Sequence, residues 1–157
     1  MKNLWLLLPA FALLLVFSCS DEDYCIEQNK VDEALINRYI DSVGLTGVQV
    51  TEDGIHYVIT QEGDGPAPTS TSRVTVHYIG TKLDGTKFDS SYDRGQSTSF
   101  SLTGVIEGWQ LGIPLLRKGG SGILIIPSCL AYRRNPPSST IGRDAVLVFD
   151  IRLLEVN

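Results

Sequence analysis

From residue 46 to the C-terminus, apolar residues arrive in short blocks separated by Gly, Asp, Ser or Pro: "GVQVT", "GIHYVITQ", "RVTVHYIG", "TKFDS", "TSFSL", "GILIIP" and "AVLVFDIRLLEV". Blocks of this length, rich in branched and aromatic residues, read as strands. Two of them keep a strict period of two. Val74, Val76 and Tyr78 alternate with Arg73, Thr75 and His77, and Leu147, Phe149, Ile151 and Leu153 fall on one side of the last block, so each strand has one dry face. Upstream, Val31, Ala34, Leu35, Ile40 and Val43 recur near helical spacing with Tyr39 beside them, and Gly44 follows as a stop. This predicts an amphipathic helix over residues 30–45, preceded by a polar tether at 19–29. Between the strands, "IEGWQLGIPLL" supports two helical turns at most, because two glycines and Pro114 interrupt it. A dry sheet face needs a cover. The pattern therefore predicts an α+β domain over residues 46–157: a mostly antiparallel sheet of five to six strands wrapped around one short helix, with the N-terminal helix outside it.

Composition narrows the function. A chain of 157 residues with 43% hydrophobic content builds one cored domain rather than two. Thirteen basic against 18 acidic residues, with no basic cluster, argue against a nucleic-acid partner. Two isolated histidines, His56 and His77, and no CxxC motif argue against a metal site. The first 18 residues are a separate object: Lys2, the apolar run "LWLLLPAFALLLVF" and the small residues "SCS" have the layout of a secretory signal. "VFSC" resembles a bacterial lipoprotein signal in particular, which implies a lipid anchor on Cys19 and a place in the cell envelope, at the outer membrane, facing the periplasm or the surface. The acidic "SDED" that follows reads as a solvated tether or resembles an export tag of surface lipoproteins. In that oxidising setting a Cys25–Cys129 disulfide is permitted, although sequence does not establish that the two are near each other.

Five aromatic residues, Tyr78, Phe88, Trp109, Tyr132 and Phe149, lie in five separate segments. Each taken alone reads as core filler. In "GTKFDSSYDRG", however, Asp89 directly follows Phe88, and a carboxylate beside a buried ring needs either a turn or partners to hold it. The stretches "VHYIGTKLDGTKFDSS", "GVIEGWQLGI", "IPSCLAY" and "LVFDIRLLEV" resemble, in order and spacing, the FKBP family of peptidyl-prolyl cis-trans isomerases, from about residue 50 to the C-terminus. The resemblance implies a pocket with Trp109 as floor and Tyr78, Phe88 and Phe149 as walls. It also implies that Val105 and Ile106 lie at the helix entry with the Ile106 N–H offered to a ligand carbonyl, that the Tyr132 hydroxyl points inward, and that Ile141 sits on the following flap. Asp89 becomes a pocket-wall carboxylate beside Arg94.

On this reading the substrates are proline-containing polypeptides, with macrolides as further ligands, and neither metal nor cofactor is needed. Two departures from the family pattern stand out: Thr98 occupies a place where an aromatic residue is common, and Arg133 replaces the Gly that usually follows the site Tyr. The flap "RRNPPSSTIGRD" is stiffer and more basic than usual. An isomerase acting on exported proteins is one expectation, and a proline-binding chaperone module with weak turnover is the other. The N-terminal helix packs either on its own domain or, as in some family members, against a second copy to form a homodimer.

Overall fold

The computed structural model of the chain describes residues 21–157. The expected signal segment and Cys19 lie outside the described residues. Seven strands form one antiparallel sheet: β1 (Gln49–Val50), β2 (His56–Gln61), β3 (Arg73–Lys82), β4 (Lys87–Ser90), β5 (Thr98–Ser101), β6 (Ser121–Ile126) and β7 (Leu147–Val156). The order across the sheet is β1-β2-β6-β7-β3-β4, and β5 continues along the same edge of β3 that β4 leaves. The sheet has seven strands rather than five to six because the shared edge counts β4 and β5 separately and because the two-residue β1 is paired to β2.

The long strands β3 and β7 form the spine, pairing from Val74↔Val156 to Lys82↔Leu147. Their period-two faces converge: Val74, Val76, Leu147, Ile151 and Leu153 are fully buried. The short helix α2 (Glu107–Gly112), extended by a 3-10 turn at Ile113–Leu115, lies across this face. Its glycines explain how a helix comes so close to a sheet. A methyl group on Gly108 would sit 2.3 Å from Ile126 Cγ2, and one on Gly112 would sit 2.7 Å from a Leu124 methyl. The helix-propensity cost of two glycines is offset by the burial of Trp109 and Ile113.

A second, smaller core lies on the opposite face of the sheet. Ile36 packs there with Ile125, Val146 and Val148, so β6 and β7 are dry on both sides. Ile36 belongs to α1 (Asp21–Val43), which begins well before residue 30; residues 21–29 are helical rather than a tether. The packed face matches the expected apolar stripe only in part: Ile40 and the neighbouring Tyr39 pack against this core, but other members do not. Val31, Leu35 and Val43 are 53%, 37% and 54% exposed, whereas Asp32 and Ile36 are fully buried. The helix has been turned by its polar and sulfur contacts: Cys25 forms a disulfide with Cys129, their Cα atoms 5.9 Å apart, and Asp32 accepts the Ser128 N–H at 2.7 Å. Residues 25, 32 and 36 share one side at helical spacing. Among the described residues, no helix is long and apolar enough to cross a membrane.

Candidate active site

Between α2 and the concave face of the sheet lies a cavity of about 340 Å³, lined by Tyr78, Phe88, Asp89, Phe100, Gly104, Val105, Ile106, Trp109, Tyr132 and Phe149. Trp109 forms its floor. Three rings meet the indole edge to face: Tyr78 at 5.2 Å and 89°, Phe100 at 5.2 Å and 89°, and Phe149 at 5.2 Å and 78°. Phe88 closes a further T-shaped pair with Phe149, 5.6 Å between centroids. Pairs of this geometry contribute about 0.5–1.5 kcal/mol each beyond simple burial, so the walls form a mutually braced set. Gly80 makes the last pair possible: a Cβ there would lie 2.6 Å from Phe88 Cζ. The side chain that is missing on β3 is the space into which the Phe88 ring folds.

One wall is polar, and its local sequence explains why. β4 pairs Asp89 with Gly80, and the chain then leaves the sheet through two serines. Ser91, fully buried, accepts the Tyr78 N–H at 2.9 Å on its hydroxyl and returns its own N–H to the Tyr78 carbonyl at 3.0 Å. The Ser90 N–H donates to Asp89 Oδ1 at 2.8 Å, and the Ser90 hydroxyl accepts the Asp93 N–H at 3.2 Å. The run "DSS" thus does both jobs, starting the turn and fixing the carboxylate. Arg94 comes back over this turn. It donates to Asp89 Oδ1 through Nη1, to the Tyr78 hydroxyl through Nη2 at 3.1 Å and to Thr98 Oγ1 at 3.2 Å, and Tyr78 donates its hydroxyl proton to Asp89 Oδ2. Thr98, the smaller residue at the family's aromatic place, is therefore part of this network.

Burial alone would raise the Asp89 pKa, but hydrogen bonds from Tyr78 and Arg94, together with the Arg94 charge and the Ser90 amide, outweigh it and hold the carboxyl below its ordinary range. Asp89 is a carboxylate at neutral pH. Burial, and then the bond to Asp89, push the Tyr78 hydroxyl up. Burial, with Asp89 nearby, does the same to Tyr132, so its hydroxyl stays protonated and able to donate. The site pairs an apolar floor with one fixed negative charge and one available O–H.

The lip of the cavity is built from loops. Val105 and Ile106 precede α2; the Val105 carbonyl accepts Gln110 Nε2 at 2.9 Å, and the Ile106 carbonyl accepts the Trp109 N–H at 2.9 Å. Tyr132 enters from the segment between β6 and β7, half-buried against the main core. Arg133, next in sequence, has φ +51°, in the left-handed region. That backbone explains the Gly usual at this place, and here the Arg side chain ties itself down by donating Nε to the Cys129 carbonyl at 3.1 Å.

Eight of the ten pocket residues expected from the resemblance thus line the cavity: Tyr78, Phe88, Asp89, Val105, Ile106, Trp109, Tyr132 and Phe149. Arg94 stands behind Asp89 without lining it. Ile141 differs: it is buried in the main core, 6% exposed, and is not a lining residue. Phe100 and Gly104 line the cavity and were not singled out by sequence. Phe100 reaches the cavity because β5 sets it opposite Val74, whose side is the dry one.

Comparison with known proteins agrees with this geometry. Residues 65–154 match the family model described as FKBP-type peptidyl-prolyl cis-trans isomerase. The chain belongs to that family. It is 46% identical over 110 residues to the probable FKBP-type peptidyl-prolyl cis-trans isomerase FkpA of Neisseria meningitidis serogroup B, an alignment that covers 70% of this chain and 40% of the relative. It is 42% identical over 137 residues to FkpA of Aeromonas hydrophila, covering 87% and 49% of the two chains. This chain spans less than half the length of those relatives. Among solved structures, the peptidyl-prolyl cis-trans isomerase of Pseudomonas syringae pv. tomato superposes with a TM-score of 0.73 at 31% identity, covering 85% of this chain and 96% of that one.

Proposed function

We propose that the chain catalyses cis-trans isomerisation of X-Pro bonds in exported polypeptides by holding a twisted amide over Trp109. The observation that carries this reading is the cavity itself: a braced aromatic floor, a protonated Tyr132 hydroxyl and an ionised Asp89 face one space of about 340 Å³, large enough to admit a proline ring with its flanking carbonyls. The barrier to be lowered is about 18–20 kcal/mol, set by amide resonance, while the two isomers differ by only about 0.5–1 kcal/mol. A rotated amide has lost C–N double-bond character, its carbonyl is less polarised, and dry aromatic walls favour it over the planar form. A thousandfold acceleration takes about 4 kcal/mol off the barrier. Hydrogen bonds from the Tyr132 hydroxyl and the Ile106 N–H to the flanking carbonyls, at about 1 kcal/mol each, fix one side of the bond while the other turns, and differential desolvation supplies the rest. Asp89 acts through polarity and orientation, with no proton transferred.

Proline-containing clients and macrolides are the proposed ligands of this cavity, and a lipid on Cys19 places it in the envelope. Incorporation of a palmitate analogue, lost in Cys19→Ser, tests the anchor. Exchange between the isomers of a proline tetrapeptide tests the reaction: wild type accelerates it, Asp89→Val and Phe149→Ala reduce it, and no acceleration by wild type eliminates the proposal. Thr98, in place of a further aromatic wall, favours a second reading in which the same cleft binds proline segments as a chaperone with little turnover. Refolding assistance that vanishes together with isomerase activity rejects it.

A further inference from the structure

The contacts of α1 divide along its length. Ile36, Tyr39 and Ile40 face the sheet, whereas its first turns face the loop that carries Tyr132. That loop has a closed base: Arg133 and Asp144 both adopt left-handed backbone, φ +51° and +53°, and the Asp144 N–H donates to the Arg133 carbonyl at 2.8 Å. Helix α1 holds it on both stems. On the entry stem, Cys25 is bonded to Cys129, the buried Asp32 takes the Ser128 N–H at 2.7 Å while Gln28 donates to its other oxygen at 2.8 Å, and the Arg134 guanidinium lies 3.8 Å from the centre of the Tyr24 ring. On the exit stem, the Tyr24 hydroxyl donates to Asp144 Oδ1. Of these two non-glycine residues in a conformation that costs about 1 kcal/mol each, Asp144 is fastened from outside the loop by Tyr24, and Arg133 donates to the carbonyl of Cys129, the residue that α1 holds by the disulfide.

We propose that the first turns of α1 are a positioning clamp for the substrate-facing loop, with Tyr24, Cys25 and Asp32 holding Tyr132 at the lip of the cavity, and that reduction of Cys25–Cys129 releases it. The clamp rests on the isomerase reading for its effect on substrate, but not for its effect on the loop. Release requires two electrons and two protons from a dithiol: the S–S bond breaks, two cysteine thiols form, and the dithiol closes to its own disulfide. Because Tyr132 lies three residues from Cys129, a loosened stem moves the hydroxyl that meets the substrate, while the Trp109 floor, carried by α2, stays in place.

The test uses the full chain, oxidised and after treatment with dithiothreitol. KM and kcat are measured separately on a proline tetrapeptide, together with amide hydrogen exchange across residues 128–144 and the melting temperature. The expected result is kcat/KM lowered by up to about fivefold, the whole contribution of the Tyr132 hydrogen bond, with KM raised, and faster exchange confined to 128–144. The Cys25→Ser/Cys129→Ser double variant should match the reduced protein and be indifferent to dithiothreitol. Tyr24→Phe, which keeps the disulfide, should speed exchange around Asp144 alone. A helix that merely stabilises the fold would lower the melting temperature and leave KM and loop exchange untouched, and that result overturns the clamp. If the oxidised chain shows no acceleration at all, the isomerase reading falls and the exchange pattern alone decides the clamp: unchanged exchange at 128–144 rejects it, and faster exchange there sustains it.

Discussion

The floor and the lip of the cavity are held in place by different means. Trp109, Tyr78 and Phe149 are 4–5% exposed, carried on α2, β3 and β7, and brace one another ring against ring. Tyr132, Val105 and Ile106 sit on loops, positioned by single hydrogen bonds, by a disulfide and, beside Tyr132, by left-handed backbone at Arg133. Part of the cavity is thus a consequence of folding the domain at all, while the other part is adjustable without unfolding anything. Substitutions in the first region should cost stability and activity together, and those of the lip side chain Tyr132 activity alone.

The largest break should come from the floor. Phe149→Ala removes a ring that contacts three others, and should cost about 3–5 kcal/mol of stability, visible as a lowered denaturant midpoint, with isomerase activity lost. Gly108→Ala comes next: with Ile126 Cγ2 only 2.3 Å from the new methyl, α2 must lift off the sheet. Overpacking of this kind costs about 1–3 kcal/mol, and activity should fall because Trp109 moves with the helix; a variant as stable as wild type would show that floor and sheet are less tightly coupled than the packing implies. At the polar wall, Asp89→Asn keeps the shape but removes the charge that Tyr78 and Arg94 surround, and should lower kcat/KM about tenfold with a smaller loss of stability, read by the exchange assay and by denaturation in parallel.

The same group sets a pH dependence. Asp89 is more acidic in the fold than in the unfolded chain, so its stabilising contribution is fully present above the unfolded value of about 3.9 and is lost as pH falls through the lower folded value. Stability and activity should both be insensitive to this group from pH 5 to 8, and in wild type should decline further below pH 4 than in Asp89→Asn. The smallest effect belongs to the lip: Tyr132→Phe should lower kcat/KM about fivefold, one neutral hydrogen bond, with an unchanged melting temperature. A loss of stability there would erase the distinction between the two regions.

The parts of the molecule built on a simple period were legible in sequence. The dry faces of β3 and β7 follow from alternation alone, and the pocket aromatics became readable once four segments resembled one family in order. Asp89 was legible only with its neighbours, because its partners Tyr78 and Arg94 lie 11 and 5 residues away in sequence. The phase of α1 was legible only in part, at Tyr39 and Ile40. Counting apolar residues selects Val31, Leu35 and Val43, but the packed side is set by Cys25 and Asp32, whose partners Cys129 and Ser128 are 104 and 96 residues distant. No local pattern encodes a buried carboxylate whose partner is a backbone amide on a remote turn. Phe100 was hidden for a milder reason: in a four-residue strand, one aromatic residue does not establish a period.

The bond between Cys25 and Cys129 also bears on how the molecule assembles. It closes a covalent ring over residues 25–129, which holds most of α1 and β1 to β6 and leaves β7 outside, and in the chain-entropy account closing a ring of about 100 residues disfavours the open chain by about 4.7 kcal/mol. The two sulfurs are 104 residues apart, so no local turn pairs them, and the bond requires α1 to lie against the end of β6. Oxidation thus fastens the brim of the notch to a helix from the far end of the chain.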